Sequence, residues 1–194
     1  MIRYFEQQLV EFRHALQSLD EGEFNRLVKE AQTVLEGGHK IIVSGLGKNV
    51  PICEKIVGSL RSLGLDACFL HTNSAVHGDM GMVKRDDLLI LLTKSGETQE
   101  SIYLARLLKE RGVNLWLLTF SKDSTLTREI PNFIVLDLVH EGDPWNIMPN
   151  NSSTVNLIVL QGLVMRLAVQ MGIELTQFKR NHPGGYIGET LKDL

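Results

Sequence analysis

Two short turns carry the residue types best suited to chemistry. Ser44-Gly-Leu-Gly-Lys-Asn49 and Thr93-Lys-Ser-Gly-Glu-Thr98 are rich in glycine and hydroxyl side chains, and each stands just ahead of a helical pattern. Backbone N–H groups at a helix start, together with Ser and Thr hydroxyls, make a cradle for a phosphate. The same residues also serve as plain caps and turns. One such loop leaves both readings open; two on successive strand ends of one sheet favour a ligand.

Three further segments hold ionisable groups that scaffolding alone does not call for. Ala75-Val-His-Gly-Asp-Met-Gly81 sets His77 in a flexible, glycine-bounded stretch, and Asn181-His-Pro-Gly-Gly-Tyr186 sets His182 beside two glycines. Glu141-Gly-Asp-Pro-Trp-Asn146 places an acid in a loop at the strand-end side. Glycine neighbours let backbone approach a ligand closely. For His14, His39, His71 and His140 the reading as ordinary solvated histidines is preferred. No His pair has the i,i+4 or H-x-H spacing of a metal site, so no metal is expected. Gly45-Leu-Gly47-Lys-Asn-Val50 is a poor dinucleotide fingerprint, because Val50 stands where the third glycine belongs and no ribose-binding acid ends the second strand. No G-x-x-x-x-G-K-[ST] occurs either.

Short, continuously apolar runs must position these turns. Lys40–Ser44, Ala67–Leu70, Asp87–Leu92, Asn114–Thr119 and Phe133–Leu136 read as five strands, alternating with helices that run to about Leu63, from about Glu97 to Arg111, and from about Ser152 to Met171. That alternation predicts an α/β fold, a parallel sheet covered by helices on both faces. Ligands in such a sheet bind beyond the carboxyl ends of the strands. Ahead of it, Ile2, Phe5, Leu9, Phe12, Leu16 and Leu19 form a nearly heptad stripe, and a second helix over 23–36 stops at Gly37-Gly38. The expected organisation is a helical extension over 1–38, packing on the core or a neighbouring subunit, and one domain over 39–194.

Composition narrows the function classes. The 194 residues are 43% hydrophobic and 22% charged with net charge −3, so a real core is available and no basic field draws nucleic acid or anionic membrane. Residues 1–36 hold four basic and seven acidic side chains, which argues against a DNA-reading head. Two cysteines, Cys53 and Cys68, make no disulfide framework and read as reduced core residues. The start has no signal-peptide pattern, and the apolar stretch Val155–Met171 contains Asn156, Gln161, Arg166 and Gln170. A soluble, cytoplasmic protein is the expectation, with Val155–Met171 as a core or subunit-interface helix.

The order GLGKN, AVHGDMGMV, SGETQE, EGDP…MPNNSST and NHPGGYIG closely resembles the sugar-isomerase (SIS) domain of bacterial arabinose 5-phosphate isomerases, over about residues 40–191. SGET is common to SIS proteins at large; HGDMGMV with HPGG is narrower. The resemblance implies a SIS-type, flavodoxin-like sheet of five parallel strands and a homotetramer, a dimer of dimers, with sites between subunits. It implies that Ser44, Ser95, Gly96 and Thr98 grip a phosphate, with Lys48 near the sugar-phosphate chain. Glu100, Glu141, His77 and His182 match the family's functional acids and histidines, His182 serving a neighbour's site. No cofactor is implied. Two departures stand out: the CBS repeats that follow this domain in longer members are expected to be absent, and Lys94 precedes the SGET serine where a small or amide side chain is usual.

The implied chemistry is aldose–ketose isomerisation of a phosphosugar, D-ribulose 5-phosphate to D-arabinose 5-phosphate, through an enediol. Glu141 and His182 would handle ring opening and carbon-proton transfer, with Lys48 and His77 supporting charge and orientation. Glu100, in the first turn after the phosphate loop, has a second reading as a capping group for that loop. Two rivals stand beside this: a phosphosugar sensor without catalysis, and an isomerase for another sugar phosphate.

Overall fold

The computed structural model describes residues 1–193. In chain order the elements are α1 (Ile2–Gln17), α2 (Glu21–Glu36), β1 (Ile41–Gly45), α3 (Asn49–Ser62), β2 (Ala67–His71) and the single turn α4 (Thr72–Ala75). A 3-10 turn (Asp79–Met82) follows, then β3 (Leu88–Leu92), α5 (Gln99–Glu110), β4 (Asn114–Thr119), α6 (Thr125–Glu129) and β5 (Phe133–Val135). The chain closes with α7 (Asn151–Gln170), α8 (Leu175–Arg180) and α9 (Gly185–Thr190).

The five strands pair in parallel in the order β2-β1-β3-β4-β5. Having laid β2 on one side of β1, the chain crosses over to lay β3 on the other. That reversal puts the topological switch point between β1 and β3. Gly45 is the register partner of Leu92 there, so the turns after β1 and β3 leave the sheet side by side.

Alternation along each strand divides the core in two. Ile41, Val43, Leu88, Ile90, Leu92, Trp116 and Leu118 face the layer that includes α2, α3 and α7. Ile42, Leu89, Leu91, Leu115 and Leu117 face the layer built on α5 and α6. Asp87 fastens the amino end of the sheet: its carboxylate accepts the N–H groups of Lys84 (2.8 Å) and Lys40 (3.2 Å) and pairs with the Lys40 ammonium at 2.9 Å. By length and hydropathy α7 would pass for a membrane span. Val155, Val159, Leu160, Leu163, Val164 and Leu167 are instead buried in the core, and the helix packs on α1, α2 and α3.

Several elements differ from the sequence reading. The 75–81 segment, expected as a flexible loop, runs from the end of α4 through a turn over 76–78, where the His77 N–H donates to the Ser74 carbonyl at 2.9 Å, into the 3-10 turn. These, with α6, α8 and α9, are too short to show a helical period. The signal for α6 is a capping box: Ser124 Oγ accepts the Thr127 N–H at 3.2 Å and Thr127 Oγ1 accepts the Ser124 N–H at 2.9 Å. Helix α5 begins at Gln99 rather than Glu97. The stripe on α1 is only half used within the chain, for Phe12 and Leu16 pack on the core while Ile2, Phe5 and Leu9 stay exposed.

Candidate active site

The turn after β3 is built from its own hydrogen bonds. Thr93 Oγ1 accepts the Gly96 N–H at 3.1 Å, and Ser95 Oγ accepts the Glu97 N–H at 3.2 Å. Gly96 has φ +69°, and a Cβ there would lie 2.2 Å from Ser124 Oγ. Only glycine satisfies both the left-handed backbone and the space. The Glu97 carboxylate accepts the Thr125 N–H (2.7 Å) and hydroxyl (2.8 Å), which tie this turn to the loop after β4 and hold Glu97 below the usual carboxylate range. Thr98 occupies the N-cap of α5 without using its side chain as a cap. Ser95 is exposed, and the free N–H groups of the first turn of α5 lie just beyond.

The turn after β1 is shorter. Ser44 is fully buried and its hydroxyl is 3.0 Å from Thr72 Oγ1, so it lies on the floor of the switch point. Lys48 occupies the N-cap position of α3, exposed, with no ion pair among the described residues. Behind it, Asn49 Oδ1 accepts from the Asn156 amide at 3.1 Å, joining the starts of α3 and α7.

Glu141 is the most constrained acid of the candidate set. Its side chain is fully buried, and Oε2 accepts the N–H groups of Asn150 (3.0 Å) and Ser152 (2.9 Å) at the start of α7. Oε1 pairs with the Lys94 ammonium at 2.5 Å. Burial by itself would raise the carboxyl; Lys94 and the Ser152 and Asn150 donors outweigh it and hold Glu141 below the usual range. The acid is therefore ionised at neutral pH. The loop around it is stiff: Asn146 Oδ1 accepts the Glu141 N–H at 2.7 Å, and Asp143 accepts N–H groups from Trp145, Ile147 and Met148.

His77 and Glu100 come together on the α5 side of the switch point, lining a cavity of about 300 Å³ with Thr72, the partner of Ser44, and with Asn73, Val76 and Tyr103. Glu100 shows no capping hydrogen bond; the loop-ordering carboxylate is Glu97. A larger cavity of about 660 Å³ adjoins it between the 75–81 segment and α5, but its Arg111 is engaged with the Met80 carbonyl at 2.7 Å.

His182 lies at the other end of the sheet. Its Nδ1 is 2.8 Å from the Phe178 carbonyl and its ring stacks on Phe178. The neighbouring Asn181 and Gln177 amides donate to the carbonyls of Ser62 and Leu63, where α3 ends. Helix α3 starts at the switch point and spans 14 residues, so His182 is separated from it by about 20 Å. One chain does not bring His182 to Glu141. Among the described residues no three His, Cys, Asp or Glu side chains come together as metal ligands would. Burial pushes the Cys53 thiol up to about 12, so it offers no thiolate.

Sequence reasoning missed Thr72, Asn150, Ser152 and the pairing of Lys94 with Glu141. Lys94 was visible only as a cation out of place in a hydroxyl-rich turn; the other three look like ordinary cap residues.

A parallel sheet in this order, with two hydroxyl-rich turns at its switch point and a buried acid beside them, defines a class of domain. The family model of the SIS domain matches residues 35–166, and the chain belongs to that family. Among its relatives, it is 34% identical over 164 residues to arabinose 5-phosphate isomerase KdsD of Pseudomonas aeruginosa, covering 84% of this chain and 50% of that protein. It is 34% identical over 195 residues to arabinose 5-phosphate isomerase KpsF of Escherichia coli O6:H1 CFT073, covering 98% and 59%. The chain thus spans between half and three-fifths of the curated relatives it matches. The structure of E. coli CFT073 c3406 in complex with arabinose 5-phosphate superposes with a TM-score of 0.85 at 30% identity, covering 93% of this chain and 94% of that one.

Proposed function

We propose that the protein is a cytoplasmic phosphosugar isomerase that interconverts D-ribulose 5-phosphate and D-arabinose 5-phosphate. The observation that carries this reading is the juxtaposition of the two turns at the switch point with an ionised, buried Glu141 reached from one of them. The relatives named arabinose 5-phosphate isomerase and the sugar-phosphate complex of c3406 support the substrate class.

The phosphate docks on Ser95, Gly96 and Thr98 and on the N–H groups opening α5, with Ser44 beneath and Lys48 along the sugar-phosphate chain. After ring opening, a base takes the C2 proton of the aldose, the electron pair moves through an enediolate, and a proton is returned at C1. Ionised Glu141 is in the state a proton acceptor needs. Lys48 and His77 stabilise charge on the sugar oxygens and orient the chain, and Glu100 lines the side that His77 occupies. His182 comes from a second copy, in a dimer of dimers. Its distance from its own switch point supports this, as do the exposed Phe5 and Leu9 on α1 and Trp145 and Ile147 in the Glu141 loop. No metal or cofactor takes part.

The test is exchange in heavy water over a panel of pentose and hexose phosphates. Deuterium entering C2 of arabinose 5-phosphate or C1 of ribulose 5-phosphate is the expected result, and Glu141→Gln abolishes it while phosphosugar binding persists. Binding without exchange in any sugar would instead make this a sensor.

A further inference from the structure

Glu141 has a problem of access. A proton acceptor must come within about 2.6–3.2 Å of its partner, yet this side chain has no exposed surface. Oε2 is taken by the Asn150 and Ser152 N–H groups. Oε1 is held by the Lys94 ammonium at 2.5 Å. The way to Oε1 therefore runs through Lys94. That side chain is 44% exposed, on a flexible four-carbon stem. Its backbone is fixed, because the Lys94 carbonyl accepts the Phe120 N–H (3.1 Å) and the Thr119 hydroxyl (3.2 Å). A mobile cation thus pivots from the anion-binding turn itself, one residue before Ser95.

We propose that Lys94 is a positioning residue that covers Glu141 in the empty site and swings to the phosphoryl group of an arriving substrate, uncovering the carboxylate. The identity of that anion rests on the isomerase reading. A phosphoryl dianion brings about two negative charges against one on Glu141, which gives the ammonium reason to move. Departure of Lys94 leaves a buried carboxylate without its counter-charge, so its proton affinity rises when a base is needed. The other ionisable groups near the carboxylate are His140 and Asp143 from its own loop and Tyr4 and Glu11 from α1. Asp143 is turned onto its own N–H partners, Tyr4 accepts the Asn150 amide, and Glu11 accepts the His140 N–H. The first turn of α7, Asn151–Thr154, brings none. Among the described residues, Lys94 is the cation paired with Glu141.

Carboxyl ¹³C NMR of the full chain, with Glu141 assigned through Glu141→Gln and inorganic phosphate as probe, reads this directly. Lys94→Gln is expected to raise the Glu141 midpoint by about one pH unit or more, and Lys94→Arg to bring most of it back. Saturating phosphate should raise the wild-type midpoint, and raise that of Lys94→Gln by less. A midpoint indifferent to Lys94→Gln, or a wild-type midpoint indifferent to bound phosphate, overturns the handover; label exchange in the same wild-type sample would leave the isomerase reading standing. A wild type that neither binds phosphate nor exchanges label overturns both. The wild-type and Lys94→Arg arms keep the charge, so the test survives poor folding of Lys94→Gln.

Discussion

Replacing Gly96 by alanine isolates what the turn after β3 asks of its backbone. Two costs add. Holding a residue with a Cβ at φ +69° costs about 1–2 kcal/mol. The new methyl would also lie 2.2 Å from Ser124 Oγ and 2.7 Å from Ser124 Cβ, inside any real contact distance. Ser124 is fully buried and caps α6, so relieving the clash means pushing the chain or giving up the cap, about 1–3 kcal/mol. Gly96→Ala should therefore lose about 2–5 kcal/mol, a large share of the 5–15 kcal/mol typical of a domain.

Urea unfolding separates the two costs when Ser124→Gly is added. Removing that side chain abolishes the clash and leaves glycine, an acceptable N-cap. The double variant should recover the steric part and keep the backbone strain, so the cycle gives a favourable coupling of about 1–3 kcal/mol. Additive single effects, or a Gly96→Ala protein within about 0.5 kcal/mol of wild type, would refute the proposition that this turn is held against Ser124. Phosphate affinity measured on the same samples shows whether the N–H groups of α5 have lost their aim.

Asp87→Ala should cost about 3 kcal/mol, because it strands the Lys40 ammonium and two backbone N–H groups at the amino end of the sheet; a urea midpoint unmoved by the change would contradict that role. Glu141 predicts acid sensitivity of definite sign. Its folded pKa is depressed, so its contribution to stability is full above the unfolded carboxylate value near 4.5 and is lost as pH falls through the lower folded value. Wild type should lose stability in that acid window more steeply than Glu141→Gln, and parallel pH profiles would show that the carboxylate is not held by its donors.

The sheet was legible because short, mainly apolar runs of four to six residues show no alternating polar face, as expected of a doubly covered parallel strand. Ser44, Ser95, Gly96 and Thr98 were legible for a related reason: their turns follow those runs directly, so topology brings them to one place. His77 and Glu100 could be singled out but not paired, since their shared cavity depends on α4, a single turn with no periodicity. His182 was visible as a histidine beside glycines, yet its distance from its own switch point is set by side-chain bonds to the end of α3, which leave no pattern in sequence. Glu141 was found as an acid in a loop, while the groups that hold it charged lie far along the chain or in backbone: Lys94, 47 positions earlier, and the N–H groups of Ser152 and Asn150.

On the proposed isomerase reading, two demands on Glu141 oppose each other, and its surroundings answer both. As a cap for the longest helix it must be charged and immobile, because the Asn150 and Ser152 N–H groups are satisfied by its carboxylate. Each of those donors lowers its proton affinity, whereas a base working near neutral pH needs that affinity raised. Permanent burial with a fixed cation would settle the conflict in favour of structure alone. A cation on a flexible stem does not. With Oε2 held by backbone and Oε1 covered by a side chain able to leave, one oxygen serves the helix and the other is free to serve chemistry.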